Sequence, residues 1–141
     1  MKAETLNPPD AAYIAGLIDG EGTITLTRKH RNENRQLAVT ISNTEKDLLE
    51  FVYQTVGAGR ITRKRTSQIH HTPSFTYAIY NRQALCLLEQ IYPYLKTYKL
   101  RRAALILHDY LELTPRNGKY TEQQKLARAQ FEAAVLVIKP V

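Results

Sequence analysis

The chain has 141 residues, a formal net charge of +7, a hydrophobic fraction of 43% and one cysteine. That length suits one domain with a real core, and no apolar run approaches the roughly 18 residues of a membrane span. The lone Cys86 excludes an intramolecular disulfide and fits a reducing compartment, while the excess of Lys and Arg is the footprint of a protein that meets a polyanion. Met1 to Asp10 is polar and proline-containing, unlike a signal peptide. The expectation is an intracellular protein with no membrane partner, not secreted, in the cytoplasm of a prokaryote or in an organelle.

Pro8-Pro9-Asp10 precedes the first helical pattern, with Asp10 as its expected N-cap and an end near Asp19 or Glu21. Thr23 to Lys29 alternates with period two: Ile24 and Leu26 face one side, the threonines and Lys29 the other. His30 to Arg35 is polar and reads as a hairpin loop. A second alternating strand sets Leu37, Val39 and Ile41 against Gln36, Ala38, Thr40 and Ser42. Asn43-Thr44 starts a helix from Glu45 to Val56, which Gly57-Ala58-Gly59 ends. A basic third strand, Arg60 to Arg65, turns Ile61 inward. After the polar connection Thr66 to Pro73, a fourth strand, Ser74 to Tyr80, turns Phe75, Tyr77 and Ile79 inward. A leucine-rich helix, Arg82 to Ile91, holds Cys86 as a small core residue and stops at Pro93. Further helices are expected over about Leu100 to Leu113 and Thr121 to Ile138, the last with Leu126, Phe131 and Val135 as its apolar stripe.

Two strand pairs with one apolar face each, covered by helices, predict an α+β sandwich with a four-stranded antiparallel sheet. Its other face carries threonines, glutamine, serine, lysine and arginines, with acids nearly absent. A merely solvated face would mix both signs, so this one favours a nucleic-acid duplex lying on the sheet, since two-stranded ribbons enter the major groove and read base edges there.

Ile14-Ala15-Gly16-Leu17-Ile18-Asp19-Gly20-Glu21-Gly22 is the most informative stretch. Ala12, Gly16 and Gly20 recur every four residues and so share one helix face. Glycine in a helix costs about 1 kcal/mol relative to alanine, so two on one face ask for a reason, and close approach of another backbone is the natural one. The stretch resembles the motif of the LAGLIDADG homing endonucleases, with Ile14 in place of Leu, Gly20 in place of Ala and Glu21 in place of Asp. The order of elements also fits over roughly residues 8 to 113, within a single domain spanning 1–141 and closed by the helix at 121–138.

The resemblance implies the αββαββα fold of that family. Because the motif occurs once, it also implies a homodimer built through Ala12, Gly16 and Gly20, and hence a partly palindromic duplex DNA target. Glu21 matches the family's metal-ligating acid and the Gly20 carbonyl its second protein ligand. Mg²⁺ suits such an oxygen site, with Mn²⁺ as a substitute. Asp19 matches an acid that in the family satisfies helix-end groups at the interface rather than the metal. Lys99 falls where the family places a basic residue near the scissile phosphate, with Lys96 as a rival because the spacing needs an insertion. Glu45 occupies a position where relatives carry Gln or another polar residue near the water network, and equally suits a helix N-terminus.

Outward strand positions expected to touch DNA are Thr25, Thr27, Lys29, Arg31, Gln36, Thr40, Ser42, Arg60, Thr62, Lys64 and Thr76. Arg and Lys read guanine and Gln reads adenine. Arg28, Arg63 and Arg65 alternate away, toward phosphates or solvent. His70-His71 lacks a third ligand nearby and reads as a DNA-contacting loop. The expected activity is site-specific cleavage of both DNA strands. The alternatives are an RNA maturase, with intron RNA as partner, and a non-cleaving DNA-binding regulator.

Overall fold

The computed structural model describes residues 3–64 and 72–141. The elements are α1 (Pro8–Glu21), β1 (Gly22–Thr27), β2 (Gln36–Asn43), α2 (Lys46–Val56), β3 (Arg60–Lys64), β4 (Ser74–Tyr80), α3 (Asn81–Ile91), a 3₁₀ turn at Tyr92–Tyr94, α4 (Tyr98–Asp109) and α5 (Glu122–Val137). No helix among the described residues is long and apolar enough to cross a membrane.

All neighbouring strands run antiparallel in the order β1-β2-β4-β3, so β2 and β4 join the two pairs at the centre. The expected inward rows hold. Ile24, Leu26, Leu37, Val39, Ile41, Tyr77 and Ile79 are buried in one cluster with Ile14, Ala15 and Ile18 of α1 and with α2 and α3. Each fully buried Leu or Ile is worth roughly 1.5–3 kcal/mol. A one-residue slip would turn a whole row to solvent, so this burial also sets the register. At the end of α2, Gly57 takes the left-handed conformation (φ 74°). A Cβ on Gly59 would meet the Ala78 carbonyl and the Tyr77 hydroxyl at 2.8 Å. That hydroxyl donates to the Ala58 carbonyl, and burial pushes its pKa above the ordinary tyrosine value.

Several expectations are corrected. Asp10 is not the N-cap of α1. Asn7 is, accepting from the Asp10 N–H at 2.9 Å, with proline at the start of the helix, where no N–H is missed. β1 ends at Thr27, so Lys29 and Arg31 lie in the hairpin loop, where the Glu33 carboxylate accepts from the Lys29 and His30 N–H groups. α4 begins at Tyr98 and ends at Asp109, because Thr97 caps it by accepting from the Lys99 N–H. Cys86 is only partly buried, since α3 turns Leu85, Leu87 and Leu88 to the core instead. Leu126 is not part of the α5 stripe: it is 62% exposed, whereas Arg128 is 1% exposed. The Arg128 guanidinium lies 4.9 Å from the Tyr110 ring centre and 5.6 Å from that of Phe131, and its N–H groups are bonded. Arg65, most of the connection from Thr66, and His70-His71 fall outside the described residues.

Candidate active site and nucleic-acid interface

Glu21 is the last residue of α1 and stands at its junction with β1. The turn is tight: a Cβ on Gly22 would lie 2.7 Å from the Ile18 Cα and 3.0 Å from the Thr40 carbonyl, so only glycine lets the helix pass directly into the sheet. The side chain of Glu21 is exposed and makes no salt bridge among the described residues. Its Oε2 accepts from Asn43 Nδ2 at 2.6 Å. Asn43 closes β2, and its Oδ1 accepts from the Glu45 N–H at 2.8 Å. Asn43, read from sequence only as a helix start, is therefore the polar group that reaches the acid. Glu45 is the exposed N-cap of α2, and its side chain makes no capping bond.

The preceding carbonyls of α1 are taken by Lys99. Its Nζ donates to the Ile18 carbonyl at 2.7 Å and the Asp19 carbonyl at 2.9 Å, stopping one residue short of Gly20. A cation is favourable at a helix C-terminus. Lys99 is 7% exposed; burial lowers its pKa and the Asp19 carboxylate partly offsets this. Asp19 accepts from the N–H groups of Lys96 and Thr97 and from the Thr97 hydroxyl. It satisfies groups at the start of α4 within the same chain, whereas the expected partners were helix-end groups at the interface. Lys96 lends only its backbone to this contact and is exposed.

Ala12, Gly16 and Gly20 line the exposed face of α1, opposite the buried Ala11, Ile14, Ala15 and Ile18. A Cβ on Gly16 or Gly20 would meet nothing within 4 Å, so the chain's own packing does not require either glycine. Tyr13, 51% exposed, stands beside this face in edge contact with Phe51. Among the described residues, no three His, Cys, Asp or Glu side chains cluster to hold a metal ion.

The strand register places the polar positions in cross-strand rows. Thr62, Thr76 and Ser42 form one, and Arg60, Ala78, Thr40 and Thr23 the next; Thr27 pairs with Gln36, and Lys64 with Ser74. Ser42 and Thr76 share a 2.8 Å hydrogen bond. The described outward face carries no acid. Thr25, Thr27, Gln36, Thr40, Ser42, Arg60, Thr62, Lys64 and Thr76 all lie on it. Tyr80, overlooked in the sequence, joins them with the Arg60 guanidinium 6.0 Å from its ring centre.

A family model described as LAGLIDADG endonuclease matches residues 14–114. The chain belongs to the LAGLIDADG endonuclease family. Solved LAGLIDADG structures share its fold. The homing endonuclease I-CvuI, in complex with its target, superposes with a TM-score of 0.76 at 19% identity, covering 93% of this chain and 82% of its own. The archaeal intron-encoded I-Vdi141I, complexed with DNA, gives 0.72 at 17% identity over 92% and 84%. The meganuclease I-AabMI, bound to uncleaved DNA, gives 0.66 at 20% identity over 88% of this chain and 44% of its own. No curated protein matches by sequence.

Proposed function

We propose that the chain is a site-specific homing endonuclease that binds a long, partly palindromic duplex as a homodimer and hydrolyses one phosphodiester in each strand. The observation that carries this reading is the placement of Glu21. Among the described residues, an exposed carboxylate without a salt bridge stands where an uncovered small-residue helix face meets a sheet face without acids. Pairing two copies through Gly16 and Gly20 brings two such carboxylates together and lays the two sheets side by side along DNA.

The donor set fits a hard divalent cation. Among the described residues it offers the exposed Glu21 carboxylate and the Gly20 carbonyl, with phosphate oxygens and water to complete the shell. I-CvuI was solved in the presence of calcium, and also with an uncleaved target in the presence of magnesium, which supports a divalent cation; our reading takes Mg²⁺, with Mn²⁺ as a substitute. Bound there, the ion would lower the pKa of attacking water and neutralise charge on the leaving oxygen.

The chain's own residues hold this arrangement. The Asn43 amide fixes the Glu21 carboxylate through Oε2, which leaves Oε1 for the cation. Lys99 steadies the helix end from inside. The Lys96 ammonium remains in solvent, so we assign the phosphate-facing charge to Lys96 and the capping role to Lys99. The outward threonines, Gln36, Arg60 and Lys64 meet the duplex, and their cations make binding salt-dependent. We place the chain in a prokaryotic cytoplasm or an organelle, where the lone Cys86 would stay reduced. The RNA alternative draws no support from these relatives, whose complexes hold DNA.

The test is a plasmid carrying the joined flanks of the coding element, incubated with wild-type or Glu21→Gln protein, with and without Mg²⁺. One Mg²⁺-dependent double-strand cut, absent in the variant, supports the proposal. Tight binding without a cut in any metal points to the regulator. For the dimer, sedimentation of wild type and Gly16→Leu should give two species of twofold different mass; identical masses overturn the interface.

A further inference from the structure

At the hairpin end of the sheet, a chain of hydrogen bonds runs from the core to a single outward side chain. The Leu37 N–H, which can only donate, points at the Tyr110 hydroxyl 3.4 Å away. Tyr110 is buried, and its hydroxyl donates to Asn81 Oδ1 at 2.8 Å. The other end of that amide, Nδ2, donates to Gln36 Oε1 at 3.1 Å. The polarity of each link follows from the one before it. A hydroxyl that accepts from a backbone N–H has its own proton left to give, so the Asn81 oxygen faces it. The Asn81 nitrogen then faces Gln36, and the Gln36 oxygen must receive it. Asn81 holds this pose with φ at 54°, a left-handed conformation rare for any residue but glycine and commonest in Asn. Such outliers persist where the surroundings impose them and gather at functional positions.

The geometry points to Tyr110 and Asn81 as positioning residues that set the amide of Gln36, so that Gln36 offers N–H donors to DNA. Its oxygen already accepts from Asn81 at the protein surface, which disfavours the two-bond reading of adenine that requires both ends of the amide. Gln36 then selects a base edge rich in acceptors, guanine with O6 and N7. The inference rests on the sheet face being the DNA-reading surface. Tyr110 touches no DNA in it and acts only through the relay.

The experiment measures binding of wild type, Tyr110→Phe, Gln36→Ala and the double variant to every single-base change of one target half-site. Tyr110→Phe is nearly isosteric, and its melting curve reports on the fold. In the wild type one position prefers guanine. Tyr110→Phe relaxes that preference about fivefold, the worth of one neutral hydrogen bond, and leaves the other positions alone. The double variant is no worse there than Gln36→Ala, because both changes break one path. A loss spread evenly over all positions, or additive losses, would mean that Tyr110 merely supports the fold and overturns the relay.

A second readout needs no DNA. The Gln36 side-chain amide resonances of the free protein should shift and exchange faster in Tyr110→Phe; unchanged resonances overturn the relay. Wild-type protein without any duplex preference would overturn the DNA reading itself, whatever the resonances show.

Discussion

The two ends of the β1–β2 pair each hold a glutamate, and they use it in opposite ways. At the motif end, Glu21 is exposed, takes one amide hydrogen bond from Asn43 and has no cation beside it among the described residues. At the hairpin end, Glu132 of α5 is 8% exposed and accepts from Arg128 Nε at 3.0 Å and from the Arg35 N–H at 3.1 Å. Arg128 in turn donates to the Arg35 carbonyl at 2.5 Å, to the Leu113 carbonyl and to the Thr114 hydroxyl. Both backbone groups of Arg35, the residue leading into β2, are thus gripped by one buried ion pair. Both bonds to Glu132 fall on Oε2, and its Oε1 lies 3.9 Å from Arg35 Nε, so this buried carboxylate is already neutralised by arginines; the exposed Glu21 is not. The contrast separates a glutamate available for chemistry from one that holds a loop in place.

The largest effect should come from the motif end and leave stability alone. Glu21→Gln should lower single-turnover cleavage on the order of 10³-fold, while unfolding free energy moves by less than about 0.5 kcal/mol. Near-normal cleavage would remove Glu21 from the mechanism. Glu132→Ala should do the reverse. It strands Arg128 in the interior and should cost about 3 kcal/mol in urea unfolding. The apolar double change Arg128→Met with Glu132→Leu should recover most of that. An unchanged midpoint in Glu132→Ala would show the clamp to be no stronger than a surface pair.

Asn43→Ala sharpens the first half of the comparison. It removes the only hydrogen bond to Glu21 among the described residues, so cleavage should fall roughly tenfold with DNA affinity retained. Equal loss of affinity would reassign Asn43 to DNA contact. Gly16→Leu should stabilise the isolated chain by roughly 0.5 kcal/mol, because leucine is the better helix former and a Cβ at this position meets nothing within 4 Å. The same change should abolish the proposed dimer. Destabilisation of the monomer would contradict the open face.

The smallest effect calibrates the exposed end of the scale. Asp109, by hydrogen bond and by charge, raises the pKa of His108. The imidazole therefore holds its proton more tightly in the folded chain. Its contribution is complete below the ordinary histidine value near 6.5 and is lost as pH rises through the raised folded value. Asp109→Asn should flatten that slope in a stability–pH profile, and a profile identical to wild type would refute the pairing.

The motif helix was legible because its signals are local. The four-residue spacing of Ala12, Gly16 and Gly20 follows from helix geometry, and the alternation of Ile24 and Leu26 against threonines follows from the pleat. Those two periods were enough for the order of elements, the inward rows and the acid-free face. Asn43 was missed because its contact with Glu21 spans 22 positions and exists only once β2 is in register beside β1. Arg128 and Glu132, four apart on a helix, look like an ordinary solvated pair. Nothing local says that α5 will lay them over Tyr110 and against Arg35, 97 positions away from Glu132.

By itself, then, the sequence determined which residues face inward, where the chain turns, and that a carboxylate ends a helix whose outer face is too small to be packing on its own core. Those are properties of period, propensity and steric volume, which act between near neighbours. Only the tertiary structure decided which charges are free and which are spent. It assigned Lys99 to the carbonyls of α1, Asp19 to the start of α4 and Glu132 to Arg35, and it left Glu21 in solvent. The availability of a charge depends on burial and on partners brought from distant segments, and both come into being only when the chain packs.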